Sequence, residues 1–132
     1  MRLRDLVVLV TEDDPVLGVD LAFALEDEGA QPRGPFRKLA DAQAALDAAL
    51  PDAAILDVEL LDGEVFPVAE RLKSAGIPYL FYTSQASTGQ AAARRDGAPV
   101  LSKAKSSHEA VLRLARLVED DTGRGPHGDP SA

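Results

Sequence analysis

The sequence predicts an open α/β domain in which five (βα) units build one parallel sheet with helices on both faces. Short apolar runs ending in polar residues alternate with segments whose apolar residues recur at helical spacing. Such alternation requires right-handed crossovers, which keep consecutive strands parallel. A chain of 132 residues, 45% of them apolar, holds material for a single ordinary core.

Residues 6–11 form a continuous β-branched run that stops at acids, the pattern of a central strand buried on both faces. Asp14 is a good N-cap and Pro15 fits the first helical position. Leu17, Leu21 and Leu25 then recur every four residues before Gly29, predicting a helix over 15–28. Residues 31–36 contain two prolines and a glycine, so a strand there must be short and lie at an edge, where a missing ladder donor is tolerated. Ala42, Ala45, Leu46, Ala49 and Leu50 make a helical stripe closed by Pro51-Asp52, and residues 53–57 follow as the third strand.

Leu61-Asp62-Gly63 marks a turn, after which Val65, Ala69 and Leu72 describe a helix ended by Gly76. Residues 77–83 are the fourth strand. The stretch 84–96, rich in Gln, Ala, Ser and Thr, is expected to supply a short, weakly packed helix and the most mobile element. Val100-Leu101-Ser102 is a brief fifth strand. Ser106 and Glu109 then stand at capping-box spacing ahead of Val111, Leu112, Ala115 and Val118. The domain is expected to span 1–119, with the aperiodic segment 120–132 as a disordered tail in which His127 is solvated.

Fourteen Lys plus Arg against 22 Asp plus Glu give a net charge of -8, which argues against nucleic acid and anionic membranes as partners. The absence of Cys excludes a disulfide framework and a thiolate zinc site. The N-terminus reads neither as a signal peptide nor as a membrane span, so a cytoplasmic protein is expected.

Parallel strands bring their last residues to one edge, and ligands of open α/β sheets bind in the crevice beyond it. Here the strand ends carry Glu12-Asp13-Asp14, Asp57, Thr83-Ser84 and Lys103. Carboxylates gathered there repel one another unless some are protonated or a cation lies between them, and a hard divalent ion suits oxygen ligands. Simpler roles compete for each residue. Asp14 can cap a helix, although capping leaves Glu12 and Asp13 unexplained. Asp57 alone would suit an Asx turn, Thr83 and Ser84 could satisfy backbone groups, and Lys103 could be solvated. Together, a carboxylate nucleophile, a hydroxyl donor and an ammonium are what phosphoryl transfer requires once a metal neutralises charge.

With the strings Val10-Thr11-Glu12-Asp13-Asp14-Pro15, Pro51-Asp52-Ala53-Ala54-Ile55-Leu56-Asp57-Val58 and Asp62-Gly63, the arrangement resembles the receiver domain of two-component response regulators over residues 5–119. The resemblance implies a flavodoxin-like, doubly wound five-stranded parallel sheet. It implies that Asp57 accepts a phosphoryl group from the phosphohistidine of a sensor histidine kinase or phosphotransfer protein. Glu12, Asp13 and Asp57, with the backbone carbonyl of Glu59, would hold Mg²⁺. Thr83 would bind a phosphoryl oxygen, and Lys103 would pair with the acyl phosphate. The expectation is a single-domain phosphoacceptor switch rather than an enzyme, assisting its own phosphorylation and dephosphorylation. It would signal through altered contacts with a downstream protein, the last helix and its neighbour forming the output face.

Three positions depart from the family pattern: Leu61 and Ala104 replace usual prolines, and Val100 replaces the aromatic that turns with the threonine in many receivers. A cis bond before Ala104 would cost about 3 kcal/mol, so a trans bond is expected there. Phe81 and Tyr82 are alternative aromatics, but strand alternation sends them to opposite faces. Two rival functions are a receiver-like module that works without phosphorylation and a phosphatase of the haloacid dehalogenase type. Against the latter, Asp57-Val58-Glu59-Leu60-Leu61 lacks the second Asp and the Thr of that family's Asp-x-Asp-x-Thr pattern.

Overall fold

The computed structural model describes residues 3–84 and 90–123. Its elements run β1 (Val7–Thr11), α1 (Pro15–Asp27), β2 (Gln31–Phe36), α2 (Leu39–Ala48), β3 (Ala53–Leu56), β4 (Glu59–Leu60), β5 (Gly63–Glu64), α3 (Phe66–Ser74), β6 (Tyr79–Thr83), α4 (Gln90–Asp96), β7 (Val100–Ser102) and α5 (Ser107–Gly123). Five strands form a sheet in the order β2-β1-β3-β6-β7, all neighbours parallel. This is the five-stranded, doubly wound α/β sheet that the alternating pattern predicts.

Side chains alternating along the strands feed two cores. Val8, Val10, Ile55, Leu80 and Tyr82 point to one face, where Leu21 and Leu25 of α1 and Val111 and Leu114 of α5 cover them. Leu9, Ala54, Leu56, Tyr79 and Phe81 point to the other, against Leu46 of α2, Val68 and Leu72 of α3 and Ala93 of α4. Phe81 and Tyr82 therefore lie on opposite faces as expected, both buried.

α1 starts where Asp14 accepts hydrogen bonds from Val16 N and Leu17 N at 2.9 and 3.3 Å. β2 is the edge strand that its two prolines require, and its register against β1 shifts between Leu9 and Thr11. Gly34 has φ +108°, and a Cβ there would lie 2.6 Å from the Val10 carbonyl oxygen, so only glycine lets β2 run this close to β1.

The sequence pattern does not show the antiparallel ribbon of β4 and β5, in which Glu59 pairs with Glu64 and Leu60 with Gly63. Asp62 sits in its turn and supplies the cap that α2 lacks locally: Lys38 at the N-cap makes no side-chain bond there, while the Asp62 carboxylate accepts from Leu39 N and, at 3.1 Å, from Ala40 N. α5 opens on the expected capping box, with Glu109 N donating to Ser106 Oγ at 3.1 Å and Ser106 N to Glu109 Oε1 at 3.2 Å. The helix continues to Gly123, so residues 120–123 belong to α5 rather than to the tail expected from residue 120. The remainder of that tail, His127 included, and residues 85–89 of the expected mobile stretch lie outside the described residues. Among the described residues, no helix is long and apolar enough to cross a membrane.

Gly18 faces the Pro35 ring, and an added Cβ would stand 2.7 Å from Pro35 Cγ and 2.8 Å from Pro35 Cβ. Helix propensity alone favours Ala at an interior helical site by about 1 kcal/mol, but the rigid ring cannot move aside without displacing β2. Gly18→Ala should therefore lower stability, by about 1–3 kcal/mol as overpacking does. Urea unfolding checks this; a stabilised variant would show that β2 yields freely.

Candidate phosphoacceptor site

The carboxyl ends of β1, β3, β6 and β7 bring the candidate residues together. Register aligns Thr11 with Leu56, so Glu12 and Asp57 leave neighbouring strands side by side. Lys103 follows β7, and its backbone N donates to the Thr83 carbonyl at 2.9 Å, which ties it to the end of β6. Its ammonium donates to Glu12 Oε2 at 2.8 Å and to Asp57 Oδ2 at 3.0 Å. Carboxylate oxygens of Glu12, Asp13 and Asp57 all lie within 4.8 Å of one another. Thr83 is buried at the end of β6, whereas Glu59 begins β4, two residues beyond Asp57, with its side chain exposed.

Charge does not balance in this corner. Three carboxylates face one ammonium, and Glu12 and Asp57 are 0% and 3% exposed. Burial first, and then repulsion from Asp57, push the Glu12 pKa up to about 8 against the pull of Lys103. Burial and a proton shared with Asp13 raise Asp57 to about 6. Desolvation also opposes ionisation of Asp13, but hydrogen bonds with Asp57 and Glu12 and the field of Lys103 hold its pKa below the ordinary value. Burial likewise works to lower the Lys103 pKa, and the Glu12 and Asp57 carboxylates outweigh it, leaving it raised.

The donor set fits a hard divalent cation. Glu12 Oε1 is buried without a hydrogen-bond partner, an orphan that a cation would satisfy, and every nearby ligand atom is oxygen.

Sequence reasoning missed the groups that hold the site in place. Thr11 Oγ1 accepts from Asp57 N at 3.0 Å and donates to Asp57 O at 3.3 Å, clamping the aspartate's backbone. A threonine closing an otherwise apolar strand was the available signal. The Tyr82 hydroxyl donates to the Lys105 carbonyl, bracing the loop that carries Lys103, and Arg37 Nε donates to Asp13 O at 3.0 Å. These contacts cross between elements and leave no local pattern. Among the described residues the one cis peptide bond is Gly34–Pro35, so the bond before Ala104 is trans, as expected, and Lys103 still reaches Asp57. Val100 lies half-buried beside Phe81.

The sign of the pH dependence follows from the carboxyl groups. Unfolded Glu12 titrates near 4.5 and the folded residue near about 8, so between these values the native state binds the extra proton. Without divalent cations, the stability contributed by this group is fully present below about 4.5 and is lost as pH rises toward 8, with Asp57 adding a slope of the same sign up to about 6. Denaturant midpoints measured in chelator across this range should fall with pH, and Glu12→Gln should flatten the fall. An unchanged slope in that variant would place the buried proton elsewhere.

No protein-family model matches the sequence. Over 122 residues the chain is 32% identical to the probable transcriptional regulatory protein TcrX of Mycobacterium tuberculosis, an alignment covering 87% of this chain and 50% of TcrX. The chain thus spans about half the length of that curated relative. Among solved structures, NtrX from Brucella abortus superposes with a TM-score of 0.78 at 21% identity, over 91% of this chain and 28% of NtrX. A response regulator receiver protein from Sinorhizobium medicae superposes with a TM-score of 0.77 at 20% identity, over 90% of this chain and 98% of its own. With the strand order already described, these likenesses identify the fold: the chain has the five-stranded parallel α/β fold of the response regulator receiver structures on which it superposes.

Proposed function

We propose that the protein is a phosphoacceptor switch in which Asp57 takes a phosphoryl group from the phosphohistidine of a sensor kinase or phosphotransfer protein. The observation that supports this most directly is the Lys103 ammonium seated 3.0 Å from Asp57 Oδ2, beside two further carboxylates. In the reaction, an ionised Asp57 oxygen attacks phosphorus and the phosphorus–nitrogen bond breaks. The electron pair returns to the imidazole, and a mixed carboxylic–phosphoric anhydride forms on Asp57.

Asp57 is ionised above about pH 6, so the nucleophile is ready at neutrality. Lys103, kept charged by its carboxylate neighbours, moves its ammonium onto the incoming phosphoryl oxygens, and the Thr83 hydroxyl donates to another. Glu12, Asp13 and Asp57, with the Glu59 carbonyl, would hold Mg²⁺, which supplies charge neutralisation when bound. The phosphoryl group then shifts the population of conformers at this edge and alters contacts with a partner protein.

Incubation with acetyl phosphate and Mg²⁺ should add the mass of one phosphoryl group, and Asp57→Asn should abolish the adduct. Intact-mass spectrometry reads both; a wild type that stays unmodified would favour an interaction module that works without phosphorylation. Mg²⁺ should also raise the unfolding midpoint, more at about pH 8 than at about pH 6, because the ion competes with the protons held by Glu12 and Asp57. Asp13→Asn should weaken that gain. Equal gains in the variant and the wild type, followed by thermal unfolding, would exclude Asp13 as a ligand.

A further inference from the structure

We infer that Arg37 is a positioning residue for the divalent-cation site: it ties together the two loops that carry the ligands, one with Asp13 and the other with Asp57 and Glu59. The inference rests on the proposed Mg²⁺ reading of those residues and adds a group outside that ligand set. Arg37 follows β2, exposed, and belongs to no sequence motif. Its side chain turns toward the neighbouring strand end, where Nε donates to the Asp13 carbonyl at 3.0 Å. Its own carbonyl accepts from Leu61 N at 3.0 Å, two residues beyond Glu59. One residue thus grips the backbone of both loops.

The grip has a fixed base. Just before Arg37, Phe36 O accepts from Glu12 N at 2.9 Å, and just after it the Asp62 carboxylate holds Leu39 N and Ala40 N. Residues 36–40 are therefore bonded to the exit of β1 and to the turn at 61–62, so the Arg37 backbone is held while its side chain reaches Asp13. Leu61 is what permits the second bond. The receiver pattern usually carries proline at that position, and proline has no amide hydrogen to give the Arg37 carbonyl. Asp13 is the ligand most in need of support: Glu12 and Asp57 are buried, whereas Asp13 is half-buried in the loop between β1 and α1. A ligand whose backbone is pinned loses less freedom when it takes the ion, as outer-shell partners achieve in metal sites. Charge acts the other way, since a guanidinium beside the site repels an arriving cation. The two effects have opposite signs and can be separated.

Two substitutions divide the hydrogen bond from the charge. In Arg37→Gln the amide nitrogen stands as many bonds from Cα as Nε does and can still donate to Asp13 without the charge, whereas Arg37→Met has the same reach and no donor. Mg²⁺ is titrated into the unphosphorylated full chain and the backbone amide shifts of Asp13 and Asp57 are followed by NMR, so no phosphoryl transfer enters the measurement. Expected is a Kd at least about threefold higher in Arg37→Met than in the wild type, below the about tenfold or more of buried outer-shell partners because water shares this exposed contact. In Arg37→Gln the Kd should equal the wild-type value or fall below it. Unfolding midpoints in chelator should agree among the three proteins; a role confined to stability would move the midpoints and leave the Kd unchanged. Equal Kd values in the Met and Gln variants would overturn the inference while leaving the metal site intact. A wild type indifferent to Mg²⁺ would sink the ligand set itself, and the inference with it.

Discussion

An ammonium held between two buried carboxylates organises the carboxyl edge of this sheet. Lys103 bridges Glu12 and Asp57, residues that are 91 and 46 positions away in the chain, and each of the three arrives on a different strand end. Buried ionisable groups are tolerated only when paired, and here one cation serves an excess of acid. The raised Glu12 and Asp57 pKa values, the unpartnered Glu12 oxygen and the fit to a divalent ion all express that one imbalance. A proton, a metal ion or a phosphoryl group added at this edge would each alter that same local charge.

The frame around it was largely legible because two periodicities are written plainly into the chain. Val8, Val10, Ile55, Leu80 and Tyr82 alternate with Leu9, Ala54, Leu56 and Phe81, and that alternation alone divides the molecule into its two cores. Parallel topology then forces Glu12, Asp57, Thr83 and Lys103 to one edge. What stayed hidden depends on contacts between distant segments. The β4–β5 ribbon has two residues in each strand, too short for any period to register, and the cap of α2 comes from Asp62, more than twenty positions downstream. α5 outlasts its apolar stripe because its acidic end, Glu119-Asp120-Asp121, remains helical after the last core contact at Val118.

The departures from the usual receiver pattern are absorbed without loss of the central contact. A trans bond before Ala104 leaves the Lys103 ammonium within hydrogen-bond reach, while the Tyr82 hydroxyl braces the same loop through the Lys105 carbonyl. Tyr82 thus does more than fill its core. Its ring packs beneath α1 and α5, and its hydroxyl reaches the loop that carries Lys103. Val100, lacking an aromatic ring, contributes only partial burial beside Phe81.

The Asp62 carboxylate has a mechanical consequence. The turn that carries it begins only a few residues beyond Asp57, and its far end grips the first backbone amides of α2, which packs on the edge strand β2. Any rearrangement of the backbone after Asp57 is therefore geared to the tilt of α2 instead of dissipating in a free loop. Asp62 thus ties the backbone that follows Asp57 to the sheet margin opposite β7.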